Sequence, residues 1–270
     1  MSHYSVAVFT QNGLSEIYSL LSPYDEHIVV DPYVRFTKEQ LIKRRRDELQ
    51  CAYEQKYVKW QADPQAYESK CIFTEHIEFL KSLPDLLKQS DEQIYQQSIA
   101  SYTPASISPE GGILSEYNPK SKWDWFEVGG RWIGMLVLKA GCNGERGTPG
   151  VGRKVSEHHD SALASDVDFE KTRQQKLANM MPYEVAMTSD LFSTAFIRTE
   201  AEYIARETMF YTYGVITPDG AWHSPGEICD CATSTETPAE EHEWVLNYFD
   251  RFIKPAIENG WHITIIDFHI

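Results

Sequence analysis

Residues 37–100 read almost wholly as helix, while strand character precedes them and returns past a linker after them. A chain of this kind has few architectures open to it: a sheet assembled from segments distant in sequence, with a helical insertion in its course. Thr37 and Gln40 form a capping-box pattern, after which Leu41, Leu49, Ala52, Tyr53 and Val58 recur at helical spacing as far as Asp63 and Pro64. Further helical pieces fill residues 65–100, with Pro84 placed where a new helix can begin. Ahead of the insertion, residues 3–9 and 27–36 are β-branched and aromatic enough to be strands of one sheet, separated by a short helix over 14–21.

Beyond the insertion a turn-rich linker spans 101–119, and strand character returns over 123–138, broken at its centre by Gly129 and Gly130. Residues 141–152 are glycine-rich and read as a mobile surface loop; their spacing matches neither a P-loop nor a dinucleotide-binding fingerprint. A helix is expected over 166–181, a strand over 183–187 and a helix over 200–208. Thr217-Pro218-Asp219-Gly220 is a turn between the arms of a hairpin over 211–223. Pro238 opens a helix running to about 258, and a strand over 261–270 closes the chain. The order predicts an α+β fold: a mixed or antiparallel central sheet with flanking helices, in a single domain over 1–270 with 37–100 as a helical insertion or subdomain.

The formal net charge of -15, from 40 acidic and 25 basic residues, argues against bulk nucleic-acid binding. The basic run Lys43 to Arg46 is followed at once by Asp47 and Glu48, as on a solvated helix face. No run of 18 apolar residues and no signal-peptide pattern is present, so the expected location is the cytoplasm, away from membranes. Five scattered cysteines fit reduced thiols. Only Cys229 and Cys231 are close, and with His223 and Glu227 they are the weak candidates for a metal; the expectation is no metal and no cofactor. His158, His159 and Asp160 offer metal-ligand chemistry, but adjacent histidines point apart in regular structure, so the trio is expected to be solvent-exposed.

The stretch from Asn118 to Trp132 carries the best candidate ligand site. It combines Lys122, Trp123, Asp124, Trp125, Gly129, Gly130, Arg131 and Trp132: a stacking surface, backbone that a ligand can approach, and a planar cation able to clamp a phosphate or carboxylate. The alternative is a tryptophan-rich core with an internal ion pair between Asp124 and Arg131. A second constellation lies on the terminal strands. Asp267 and His269 are two apart and share a face, and His3 lies on a strand of the same expected sheet, so a carboxylate can orient an imidazole for general base chemistry.

The block Asn-Pro-Lys-Ser-Lys-Trp-Asp-Trp at 118–125, Gly-Gly-Arg-Trp at 129–132, Leu-Leu-Ser-Pro-Tyr-Asp-Glu at 20–26, Thr-Pro-Asp-Gly with Trp222, and the terminal Asp-Phe-His-Ile resemble an uncharacterised family encoded by bacteriophages and prophages. The chain departs from that family at Ile228 to Cys231, where similar proteins tend to carry Gly-Trp-Trp. The resemblance implies a phage accessory protein for host takeover or counter-defence, working in the host cytoplasm. Two functions are therefore expected: a non-enzymatic protein that binds a nucleotide-like small molecule or a host protein, with a homodimer possible, or else a small hydrolase acting on a phosphoester or nucleotide-like substrate.

Overall fold

In the computed structural model, residues 3–71, 73–188, 197, 199–228 and 234–270 are described. The strands, in chain order, are β1 (His3–Thr10), β2 (Val29–Phe36), β3 (Ile113–Tyr117), β4 (Trp125–Gly130), β5 (Thr148–Pro149), β6 (Ser161–Leu163), β7 (Gly214–Ile216), β8 (Trp222–His223) and β9 (His262–His269). They form two sheets in an α+β fold. The chain divides into two compact units, Met1–Ile28 with Asn118–Ile270, and Val29–Tyr117.

The first unit is built on a seven-stranded mixed sheet of order β5-β4-β9-β1-β7-β8, with β6 also paired to β9. β1 and β9 come from opposite ends of the chain and pair antiparallel along their whole length, from His3 opposite His269 to Thr10 opposite His262. β4 and β6 share the other edge of β9, one on its last residues and one on its first. Both central strands are buried on both faces, which explains why they read as near-continuous apolar runs. On one face Ala7, Phe9, Ile263 and Ile265 pack with Trp244, Tyr248, Phe252 and Ile253. On the other, Tyr4, Val6, Val8, Ile266 and Phe268 pack with Ile17, Leu21, Tyr24 and Trp123. Each buried Val, Leu, Ile or Phe among them contributes about 1.5–3 kcal/mol, so the β1–β9 pair anchors the unit.

The helix over the first face runs Pro238–Tyr248, widens into a π turn at Phe249–Ile253 and resumes at Lys254–Glu258. Pro255 supplies the reason for the wide turn: it has no N–H for the carbonyl four residues back, and its ring would collide there. Thr237 and Glu240 form a capping box at the helix start.

The second unit holds β2 and β3 as a separate antiparallel pair, so residues 27–36 do not join the central sheet as expected. β3 also falls inside the stretch expected to be only a linker. The helix Lys38–Ala52 starts at the Thr37–Gln40 capping box. Pro84 does not begin a helix but lies within Thr74–Leu86, where Leu80 and Leu83 are wholly buried and hold the chain helical across it. One more expectation fails in the first unit: Tyr183–Met187 is helical, with Tyr183 and Ala186 packed beside Tyr203 and Ile197. Periodicity in five residues cannot separate the two states. Among the described residues no helix is long and apolar enough to cross a membrane.

Candidate active site at the end of the central sheet

Three adjacent strands bring His3, His269 and Trp125 side by side. His269 pairs in register with His3 on one neighbour and with Trp125 on the other. Alternation of side chains places all three on one face, with Asp267, Ser5 and Glu127 in the next row. The His3 and His269 rings meet edge to face with centroids 4.8 Å apart. Trp125 stands edge-on to both, at 6.3 Å from His3 and 6.4 Å from His269.

Each imidazole is held by its own carboxylate. His3 Nδ1 lies 2.9 Å from Asp267 Oδ1, and His269 Nδ1 lies 2.6 Å from Asp124 Oδ1. A carboxylate accepts the Nδ1–H and so selects the tautomer whose Nε2 carries a lone pair. Each ring then keeps Nε2 as the nitrogen able to take or give a proton, with the His3 side chain 15% exposed and that of His269 13%. The two carboxylates differ in setting. Asp267 is completely buried, and its second oxygen accepts the Arg131 N–H at 2.8 Å, whereas Asp124 is partly open to solvent. Trp125 has 46% of its surface exposed, so its ring is open to solvent beside the histidines.

The expected ligand set of residues 122–132 does not assemble as one surface. Trp123 is core, 6% exposed, with Nε1 donating to the Leu21 carbonyl at 3.1 Å. Lys122 is paired with Glu227 and lies over the Trp222 ring. Trp132 is partly buried against both faces of the sheet core. Gly129 and Gly130 end β4 rather than break a strand over 123–138 at its centre, and the reason they are glycines lies inside the protein. A Cβ on Gly130 would stand 2.3 Å from the Cβ of Asp267, and one on Gly129 would stand 3.0 Å from the carboxyl carbon of Asp160. Both also adopt positive φ. Arg131 keeps an exposed side chain but spends its amide on Asp267. The anticipated pairing of Asp124 with Arg131 is replaced by Asp124 with His269. Of this set only Asp124 and Trp125 join the histidines.

Asp160 is not solvent-exposed as its neighbours suggested but wholly buried, its oxygens accepting the Gly134 N–H at 2.6 Å and the Gly147 N–H at 2.8 Å. Burial pushes its carboxyl above the usual range, against the pull of those two donors. It fastens the loops around β4 and β5. His223 contacts the Phe252 ring and the Thr217 hydroxyl, and burial holds its imidazole below the usual value. Cys229 and Cys231 lie outside the described residues. Among the described residues no three His, Cys, Asp or Glu side chains are grouped to hold a metal. Glu127, opposite Asp267, went unnoticed in the sequence because nothing local marks its strand register.

No protein-family model, curated protein or solved structure matches the chain.

Proposed function

We propose that this protein cleaves a phosphoester in a nucleotide-like substrate, with His3 and His269 as a general acid–base pair, Asp267 and Asp124 as the groups that orient them, and Trp125 as a platform for the base. The observation that carries the reading is the adjacency of two imidazoles, each with Nδ1 held by a separate carboxylate. Phosphoester cleavage needs one proton removed from the attacking oxygen and one delivered to the leaving oxygen, and each positioned group contributes about 10²–10⁴-fold. A pair of histidines in opposite protonation states meets both needs. Trp125 supports a nucleotide-like substrate in particular, because stacking a base on an open aromatic ring is worth about 1–3 kcal/mol.

A second reading rests on Trp125 alone: the same surface binds a nucleotide-like ligand without turning it over. The resemblance to phage-encoded proteins supports placing either activity in host takeover or counter-defence. The deciding experiment offers the purified protein a panel of nucleotides, cyclic nucleotides and short oligonucleotides and follows both binding and product formation. Turnover lost in His3→Gln and in His269→Gln supports the hydrolase. Binding that survives both substitutions, depends on Trp125 and yields no product supports the ligand-binding protein instead.

A further inference from the structure

A second opening lies in the first unit, at the far end of β9 from the histidine pair. His262 and His269 stand seven residues apart on that strand, roughly 23 Å at the rise of an extended chain. Around His262 a cleft of about 620 Å³ is bounded on one side by Asn12, Gly13 and Leu14 and on another by residues 141–145. Its floor is set by strand register. β6 pairs with β9 so that Ser161 stands opposite Thr264 and Leu163 opposite His262, which puts these four side chains on one face. The His262 ring lies under Gly13, where a Cβ would be 3.5 Å from its Cδ2, and its Nδ1 is buried with no hydrogen-bond partner among the described residues. Thr10, opposite His262 on β1 and wholly buried, has its hydroxyl in the same condition. Buried polar atoms are nearly always paired, so two orphans in register mark the floor of this cleft as a place for a polar occupant.

The walls decide its chemistry. Two carboxylates line the cleft, those of Glu145 and Asp166, and no lysine or arginine does. The Glu145 backbone is held to that of Ser161 by bonds of 2.7 and 3.1 Å, which fixes where its side chain leaves the chain, and its carboxylate has no partner among the described residues. Asp166 ends the turn Ala164–Asp166 and accepts the Cys142 thiol. Burial first and that carboxylate second push the thiol up, so it stays protonated beside the acid. Lys139, close enough to act on the Cys142 thiol, commits its amine to the Ser165 carbonyl at 2.6 Å. The backbone carbonyls of 141–144 accept no hydrogen bond among the described residues, and Asn12 and Asn143 add side-chain amides. The lining is therefore rich in acceptors and short of cations. We propose that this cleft binds a small organic cation, a di- or triamine, whose ammonium groups lie against Glu145 and Asp166 while its other N–H bonds reach the carbonyls of 141–144 and His262 Nδ1. An ammonium offers three donors and no acceptor, which matches this lining where an anion does not. The volume falls within the range of small-molecule sites, about 300–1,000 Å³. The site stands apart from the histidine pair and does not depend on what that pair does.

The test titrates the full chain with spermidine and with putrescine by calorimetry at fixed ionic strength. One molecule is expected to bind per chain, and butanediol, the neutral counterpart of putrescine, is expected to give no binding heat. Glu145→Gln and Asp166→Asn are each expected to weaken binding about tenfold or more. Glu78→Gln, which removes an exposed charge elsewhere, is expected to leave it unchanged. Glu145 and Glu78 are both exposed, so this comparison survives even where Asp166→Asn disturbs the fold. Asn143→Trp, also at an exposed position, fills the cleft and is expected to abolish binding with both carboxylates intact. Equal weakening by Glu145→Gln and Glu78→Gln means that amines are drawn by net charge alone, and it overturns the proposal. Several molecules bound per chain, displacement by calcium at matched ionic strength, or no binding at all overturns it equally.

Discussion

His3 and His269 face one another across the β1–β9 ladder with ring centroids 4.8 Å apart, although they stand near opposite ends of the chain. Because their Nδ1 atoms are tied to two carboxylates of unequal burial, the two supports are separable by mutation. Asp267→Asn removes a wholly buried charge that accepts from both His3 and the Arg131 amide. It is expected to cost about 1.5–3 kcal/mol of stability as well as activity, read as a drop in the urea midpoint alongside the rate.

Asp124→Asn should separate those effects. Asp124 is partly exposed, so its pair with His269 is expected to contribute under about 1 kcal/mol to stability. Loss of the correct imidazole tautomer is nonetheless expected to lower turnover by about 10²-fold or more. Equal activity in Asp124→Asn and the parent protein would show that His269 does not depend on Asp124 for its orientation.

The two neighbouring tryptophans make an internal control. Trp123→Ala empties a core position and breaks the Nε1 bond to Leu21, for an expected loss of about 3–5 kcal/mol. Trp125→Ala is expected to leave the thermal midpoint almost unchanged while weakening nucleotide binding by about 1–3 kcal/mol. Paired melting curves and titrations check both.

At Gly130 a methyl group has no room beside Asp267, and the backbone is at φ +53°. Gly130→Ala is expected to destabilise by at least about 1–2 kcal/mol through the left-handed conformation alone. Because the collision is with the carboxylate that orients His3, activity should fall further than stability predicts, which a rate measured well below the melting temperature will reveal.

His223 supplies a pH test away from the site. Burial first, then repulsion from Arg251, holds its folded imidazole below the ordinary value of 6.5. The unfolded chain therefore takes up the proton at higher pH than the native one, and stability falls as pH drops through 6.5 toward the folded value. His223→Gln should flatten that part of the stability profile; an unchanged slope in urea midpoints between about pH 5 and 7 would assign it to other groups.

Much of this molecule was legible in local sequence. The strands at both ends of the chain, the Thr37–Gln40 cap, the hairpin at Thr217-Pro218-Asp219-Gly220 and the helix opened by Pro238 each depend on residues within a turn or two of one another. His3, Asp267 and His269 were also visible as a possible constellation, because a two-residue spacing on a strand puts side chains on one face. Their partners were not. Whether Trp123 is core and Trp125 open, whether Asp124 turns to Arg131 or to His269, and why Gly130 must be glycine follow from β4 docking on β9 with Trp125 opposite His269, while Gly129 answers to the buried Asp160. His3 and Asp267 are separated by 264 positions and touch only because burying both faces of β1 and β9 repays the entropy of closing so long a loop. Propensity and spacing act over a few residues, so they determined the elements; strand order and register, chosen by burial across the whole chain, decided which side chains became a site.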